Sequence, residues 1–204
     1  MATTEAEVNQ AHREKMARIK AVKDRIYASK TIEKGLIIVH TGTGKGKSTA
    51  AWGLAMRCLG HGLKLGVVQF VKGRRDTGER FFLARFPELV EVKVMGEGFT
   101  WETQDRERDI AAARAAWAAA EAMLQDPDLH MVILDELNIV LRKDYLPLPE
   151  VIAGLRAKRP DLHVVITGRN AKPELIEAAD LVTDMSLVKH PFRAGVKAQQ
   201  GVEY

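Results

Sequence analysis

The stretch that most constrains the fold lies between residues 35 and 59. Residues 35–49 read Gly-Leu-Ile-Ile-Val-His-Thr-Gly-Thr-Gly-Lys-Gly-Lys-Ser-Thr, an apolar run passing into a glycine-rich loop that closes on Gly-Lys-Ser-Thr. Leu36 to Val39 is continuously apolar, the pattern of a strand covered on both faces of a parallel sheet. Gly42, Gly44 and Gly46 allow backbone conformations that a Cβ blocks, so successive N–H groups turn inward toward an anion. Ala50 to Leu59 has few turn residues and reads as the helix whose N-terminus completes the anion site. Strand, loop and helix in this order are the wiring of a nucleotide phosphate cradle, and they commit the chain to an α/β fold.

Within the cradle the candidate ATP contacts are Thr41, Gly42, Thr43, Gly44, Lys45, Gly46, Lys47, Ser48 and Thr49. Lys47 supplies a mobile positive charge, and the Ser48 hydroxyl is placed to reach a magnesium ion on the phosphates. The pattern G-x-x-x-x-G-K-[ST] asks for glycine at position 41, where this chain has Thr41. A glycine-rich turn without a ligand is the alternative. Lys45 and Lys47 alternating with glycines, directly after a buried strand, argue against it.

At 204 residues and 46% hydrophobic, the chain suits one α/β domain with a full core. Its formal charge of +4, from 31 basic and 27 acidic residues, fits an anionic ligand and is too small an excess to argue for nucleic acid. The single cysteine, Cys58, excludes an internal disulfide and falls where a buried structural thiol is expected. No apolar run approaches the roughly 18 residues that span a bilayer, and no signal-peptide core opens the chain. The expectation is a soluble cytoplasmic protein with no nucleic-acid and no membrane partner.

Residues 1–34 carry eight Lys or Arg against five Asp or Glu, with no glycine or proline. Met16, Ile19, Val22 and Ile26 recur at spacings of three and four, which predicts an amphipathic helical arm, either a solvated helix or one that covers a partner or the site. Residues 35–204 then form the main domain. Leu65 to Val71 reads as a second buried strand, parallel to the first through a right-handed crossover. Lys72 follows its C-terminal end, the edge where ligands bind in open α/β sheets. Glu91 to Met95 reads as a third strand, Gln104 to Gln125 as a long helix with Trp117 in the core, and Pro149 to Lys158 as another helix. His163 to Thr167 is a fifth strand with Arg169 leaving its tip, a second candidate phosphate or ribose contact. Pro173 to Ala179 is a short helix, and Leu181 to Val188 a sixth strand.

The fourth strand, His130 to Leu134, ends in Asp135 and Glu136. Four apolar residues followed by acids, in a chain that already holds a phosphate loop, deliver a carboxylate where the ion on the phosphates must sit. Ser48, Asp135 and Glu136 are therefore the candidate metal ligands, for Mg²⁺ or alternatively Mn²⁺. The expected architecture is a phosphate-loop, RecA-like three-layer fold with a mostly parallel sheet of about six strands and an N-terminal helical arm.

Six segments carry a more specific likeness: Thr41 to Thr49, Val67 to Gly73 (Val-Val-Gln-Phe-Val-Lys-Gly), Gly98 to Thr103 (Gly-Phe-Thr-Trp-Glu-Thr), Leu134 to Asn138 (Leu-Asp-Glu-Leu-Asn), Val165 to Arg169 (Val-Ile-Thr-Gly-Arg) and the tail Val188 to Tyr204. Together, from about residue 12 onward, they resemble the phosphate-loop ATP:corrinoid adenosyltransferases of cobalamin biosynthesis. The resemblance implies transfer of the 5′-deoxyadenosyl group of ATP to the Co(I) of a reduced cobalamin or other corrinoid, with triphosphate leaving. It gives catalytic roles to Lys47, on the leaving triphosphate, and to Phe99 and Trp101, which displace the lower axial ligand of Co(II) and so ease its reduction. Core filling is the alternative for that aromatic pair, although Gly96 and Gly98 around it suit a lid. The resemblance also implies ATP bound in reverse relative to other phosphate-loop enzymes, a homodimer whose arm covers the neighbour's corrinoid, and an electron donor for which a flavoprotein-type reductant is a candidate. Lys189 and His190 match the family tail without an assigned chemistry. A RecA-like ATPase or a small-molecule kinase using the same loop is the competing reading.

Overall fold

The computed structural model describes residues 4–71, 77–95 and 105–204. The chain divides into two compact units, Met1–Glu33 and Lys34–Tyr204. In the first, helix α1 (Glu5–Ala28) starts on a capping box in which Thr4 and Glu7 satisfy one another's backbone N–H groups. Its apolar stripe, Met16, Ile19, Val22 and Ile26, is exposed along its length.

The second unit is built on six parallel strands: β1 (Ile37–Thr41), β2 (Leu65–Gln69), β3 (Val90–Val94), β4 (Met131–Asp135), β5 (His163–Thr167) and β6 (Leu181–Asp184). Their order across the sheet is β3-β2-β4-β5-β1-β6. Because side chains alternate, each central strand feeds two cores. Ile38, Val67, Ile133 and Val165 pack on helix α2 (Lys47–Gly60) through Ala51, Trp52, Ala55 and Cys58, with short helix α3 (Gly78–Leu83) adding Leu83. Val39, Val68, Val132, Leu134 and Ile166 face the other way. There they meet α4 (Arg106–Gln125), α5 (Leu137–Arg142), α6 (Leu148–Arg156) and α7 (Pro173–Ala178). The result is the helix–sheet–helix layering of the phosphate-loop folds, with all six strands parallel.

Trp117 on α4 is 2% exposed, and Cys58 is buried with its thiol directed at the carbonyls of Leu63 and Lys64. Among the described residues no helix is long and apolar enough to cross a membrane. Several boundaries differ from the sequence expectation by a residue or more, and two of them bear on the site. β2 stops at Gln69, two residues short of Val71, although Phe70 stays buried. β6 ends at Asp184 instead of Val188, because its pairing with β1 ends at Thr41 opposite Asp184. The next residue then turns its hydrogen bonds to the phosphate loop: Met185 N–H donates to the Thr41 carbonyl and Gly44 N–H to the Met185 carbonyl.

Candidate active site

The site lies at the C-terminal edge of β1, β5 and β4, where the strand order places the loop after β1 across β5 from the acids that end β4. Gly42 and Gly46 carry φ of 100° and 105°, conformations that L side chains avoid. A Cβ on Gly42 would also stand 2.5 Å from Asp184 Oδ1 and 2.6 Å from the Met185 backbone N. Glycine is thus required there both for the turn and for the close approach of segment 184–186. Gly46 caps α2 with no side-chain hydrogen bond, which leaves the first-turn N–H groups of that helix to an anion.

Thr41 is engaged within the fold. Its hydroxyl accepts the Ala171 N–H at 2.9 Å, tying the loop to the turn after β5, and it is 5% exposed. Lys47 is buried beneath the loop, its Nζ donating to the carbonyls of Gly42 at 3.0 Å and of Gly44. Burial, and after it the charge of Arg169, hold its ammonium below the ordinary value, with Glu136 and Asp184 acting in the opposite sense.

The two acids play unequal parts. Asp135 Oδ1 accepts from Ser48 Oγ at 3.0 Å and from Thr167 Oγ1 at 2.8 Å, while Oδ2 accepts from Gln69 Nε2 at 3.2 Å. The register dictates the last contact, since Gln69 and Asp135 are directly paired at the ends of β2 and β4. Glu136 leaves the strand in a left-handed conformation (φ 63°), and its N–H donates to Thr167 Oγ1 at 2.9 Å. Its Oε2 is buried without a hydrogen-bond partner among the described residues. Burial first, and the neighbouring Asp135 second, push its carboxyl up to about 7, partly offset by Lys47, Arg169 and Arg142. A buried carboxylate oxygen without a partner, on a residue whose cavity Ser48 and Asp135 also line, belongs to an oxygen donor set suited to a hard divalent cation.

A cavity of about 480 Å³ gathers these groups: Gly44 through Thr49, Asp135, Glu136 and Arg169 all line it. Of the remaining sequence candidates, Thr41, Gly42 and Thr43 stand outside that lining, while Lys72, Phe99 and Trp101 lie outside the described residues. Three participants escaped the sequence reading. Gln69 and Thr167 fix Asp135, and Glu203 forms an ion pair with Lys45 from far along the chain. Gln69 and Thr167 do sit at strand tips and within segments that carry the family likeness, the signals that pointed toward them.

Comparison with known proteins bears on this geometry. The profile of the ATP:corrinoid adenosyltransferase BtuR/CobO/CobP family matches residues 33–204. A corrinoid adenosyltransferase of Pseudomonas aeruginosa is 59% identical over 198 residues, covering 97% of this chain and 98% of the relative. The corrinoid adenosyltransferase CobA of Salmonella typhimurium is 52% identical over 186 residues, covering 90% and 94%. A corrinoid adenosyltransferase of Escherichia coli is 48% identical over 196 residues, covering 96% and 99%. With a matched profile over most of its length and near full-length relatives at about half identity or more, this chain belongs to the ATP:corrinoid adenosyltransferase family.

Proposed function

We propose that this chain transfers the 5′-deoxyadenosyl group of ATP to the Co(I) centre of a reduced corrinoid, releasing triphosphate. The observation that carries the reading is one cavity shared by the phosphate loop, Lys47, Ser48, Asp135 and Glu136, in a chain of this family. The nucleophile belongs to the substrate. The Co(I) electron pair forms the bond to C5′ while the C5′–O bond breaks and its electrons pass to the triphosphate. No side chain has to activate a hydroxyl or a water, so neither hydrolysis nor kinase chemistry is favoured.

The protein's tasks are then positioning and charge stabilisation. The loop N–H groups, Lys45 and Lys47 hold the charge that grows on the departing triphosphate, and Thr43, Thr49, Lys72 and Arg169 are further nucleotide contacts. Lys47 is suited to this by its burial: an ammonium already stripped of water gains more from a phosphate than a hydrated one. Ser48, Asp135 and Glu136 would hold Mg²⁺, which when bound neutralises charge on the phosphates. Asp135 meanwhile keeps the Ser48 hydroxyl oriented. Phe99 and Trp101 are assigned to displacing the lower axial ligand of the corrinoid, and α1 to covering a corrinoid on the neighbouring subunit of a homodimer. A flavoprotein-type donor in the cytoplasm would supply the electron.

The test is spectroscopic. Protein, ATP, Mg²⁺ and chemically reduced Co(I) corrinoid are incubated in the dark. The expected outcome is the absorbance of an alkyl-cobalt product that bleaches under light. A spectrum unchanged from the enzyme-free control overturns the reading.

A further inference from the structure

The phosphate cradle already has an anion in it, and the anion belongs to the protein. Glu203 reaches Lys45 of the phosphate loop across 158 positions of sequence, carboxylate Oε2 against Nζ. The carboxylate is the more sheltered partner, with 16% of its side chain exposed against 51% for Lys45. Glu203 and Val202 line the same cavity as Lys47, Ser48 and Glu136.

The segment that carries Glu203 borders a second cavity. Gly201, Val202 and Tyr204 line an adjoining cavity of about 280 Å³ together with Trp52 and Met56 of α2 and Phe82 of α3. A turn closes the segment: Gly201 N–H donates to the Tyr204 carbonyl at 2.8 Å, and Glu203 N–H to the Gln199 carbonyl at 2.8 Å. The turn thus presents the acid to the cradle's cation, while Val202 itself stays 82% exposed. A tethered carboxylate held this way competes at the high effective concentration of an intramolecular group.

We propose that Glu203 is a positioning residue that competes with phosphate for Lys45, weakening the hold of the cradle on polyanions and so promoting release of the triphosphate product. The proposal rests on the adenosyl-transfer reading, in which the leaving group is the most highly charged species the site handles. An incoming phosphate that uses Lys45 must displace the Glu203 carboxylate or lie beside a like charge. Once the adenosyl group has gone, the same carboxylate is on hand to reclaim Lys45. A cradle made only of cations and helix N–H groups would keep a free triphosphate longest, and product release limits many enzymes.

The decisive experiment is equilibrium binding of inorganic triphosphate with Mg²⁺, by calorimetry, to the full chain and to Glu203→Gln, at two salt concentrations. The variant keeps the shape and removes the charge. It should bind triphosphate about threefold to tenfold more tightly at low salt, and the gap should narrow at high salt as screening weakens the competition. Multiple turnover of adenosyl transfer by the variant should slow as triphosphate release slows. A thermal melt of the variant, with Glu203→Asp as the charge-retaining control, separates charge loss from misfolding. Equal or weaker triphosphate binding by a folded Glu203→Gln overturns the proposal and leaves the adenosyl-transfer reading intact. Failure of both the unaltered chain and Glu203→Gln to bind triphosphate overturns both.

Discussion

Glu136→Gln should stabilise the metal-free protein and cripple the metal-dependent step, and the size of the first effect follows from the site. The carboxyl sits at about 7 against an ordinary 4.5, chiefly because the fold buries it and secondarily because Asp135 is beside it. At about 1.4 kcal/mol for each pH unit of that gap, ionising Glu136 in the folded protein costs about 3 kcal/mol. Partial exposure and screening by water reduce this to about 2 kcal/mol. The folded-state value is raised, so this stability is fully present below pH 4.5. It is lost as the pH climbs, and is gone once the pH has passed about 7. Glutamine carries no charge at any pH. In urea unfolding with a chelator present, the two proteins should match near pH 4.5, and the variant should be more stable by about 2 kcal/mol at pH 8. Adding Mg²⁺ at pH 8 should close the gap by stabilising only the parent chain. A variant no more stable than the parent at pH 8 would refute the claim that this carboxylate is held at a cost for a cation.

Three further outcomes test neighbouring parts of the account. Gly42→Ala should cost about 3 kcal/mol or more in urea unfolding and abolish triphosphate binding, since a left-handed φ, the Asp184 carboxylate and the Met185 backbone all oppose a Cβ. Ser48→Ala should weaken Mg–ATP binding by calorimetry by about tenfold to a hundredfold, whereas Ser48→Thr, which keeps the hydroxyl, should stay within about threefold of the parent. Trp101→Ala should leave ATP affinity intact and abolish reaction from the Co(II) corrinoid with a biological reductant, while reaction from chemically prepared Co(I) persists. Equal activity from both cobalt states would remove the axial-ligand role from Trp101.

What the sequence disclosed and what it hid divide along a physical line. The strand into the phosphate loop, the loop glycines and the acids closing β4 are local patterns, and a short window of residues carries them in full. Trp117 and the α4 stripe were equally plain, because 20 residues at a steady helical period leave no ambiguity. The six-residue helices α3 and α5 were missed, being too short for a period to declare itself. Gln69 and Thr167 became partners of Asp135 only through the strand order β2-β4-β5, a long-range arrangement that no local pattern encodes. Thr41 shows the converse. Its departure from the motif was legible, but its hydrogen bond to Ala171, 130 positions away, was not. Glu203 lay in the tail that carried the family likeness, but its part was hidden, since an acid near the end of an irregular segment looks solvated until the fold sets it against Lys45.

The most direct test of the adenosyl-transfer account is a phosphorus NMR inventory of the products when ATP, Mg²⁺ and Co(I) corrinoid are turned over by this chain. One inorganic triphosphate is expected for each cobalt–carbon bond formed, with the β–γ linkage unbroken. ADP and orthophosphate accumulating in its place would mean that attack falls on the γ-phosphorus, contradicting displacement at C5′.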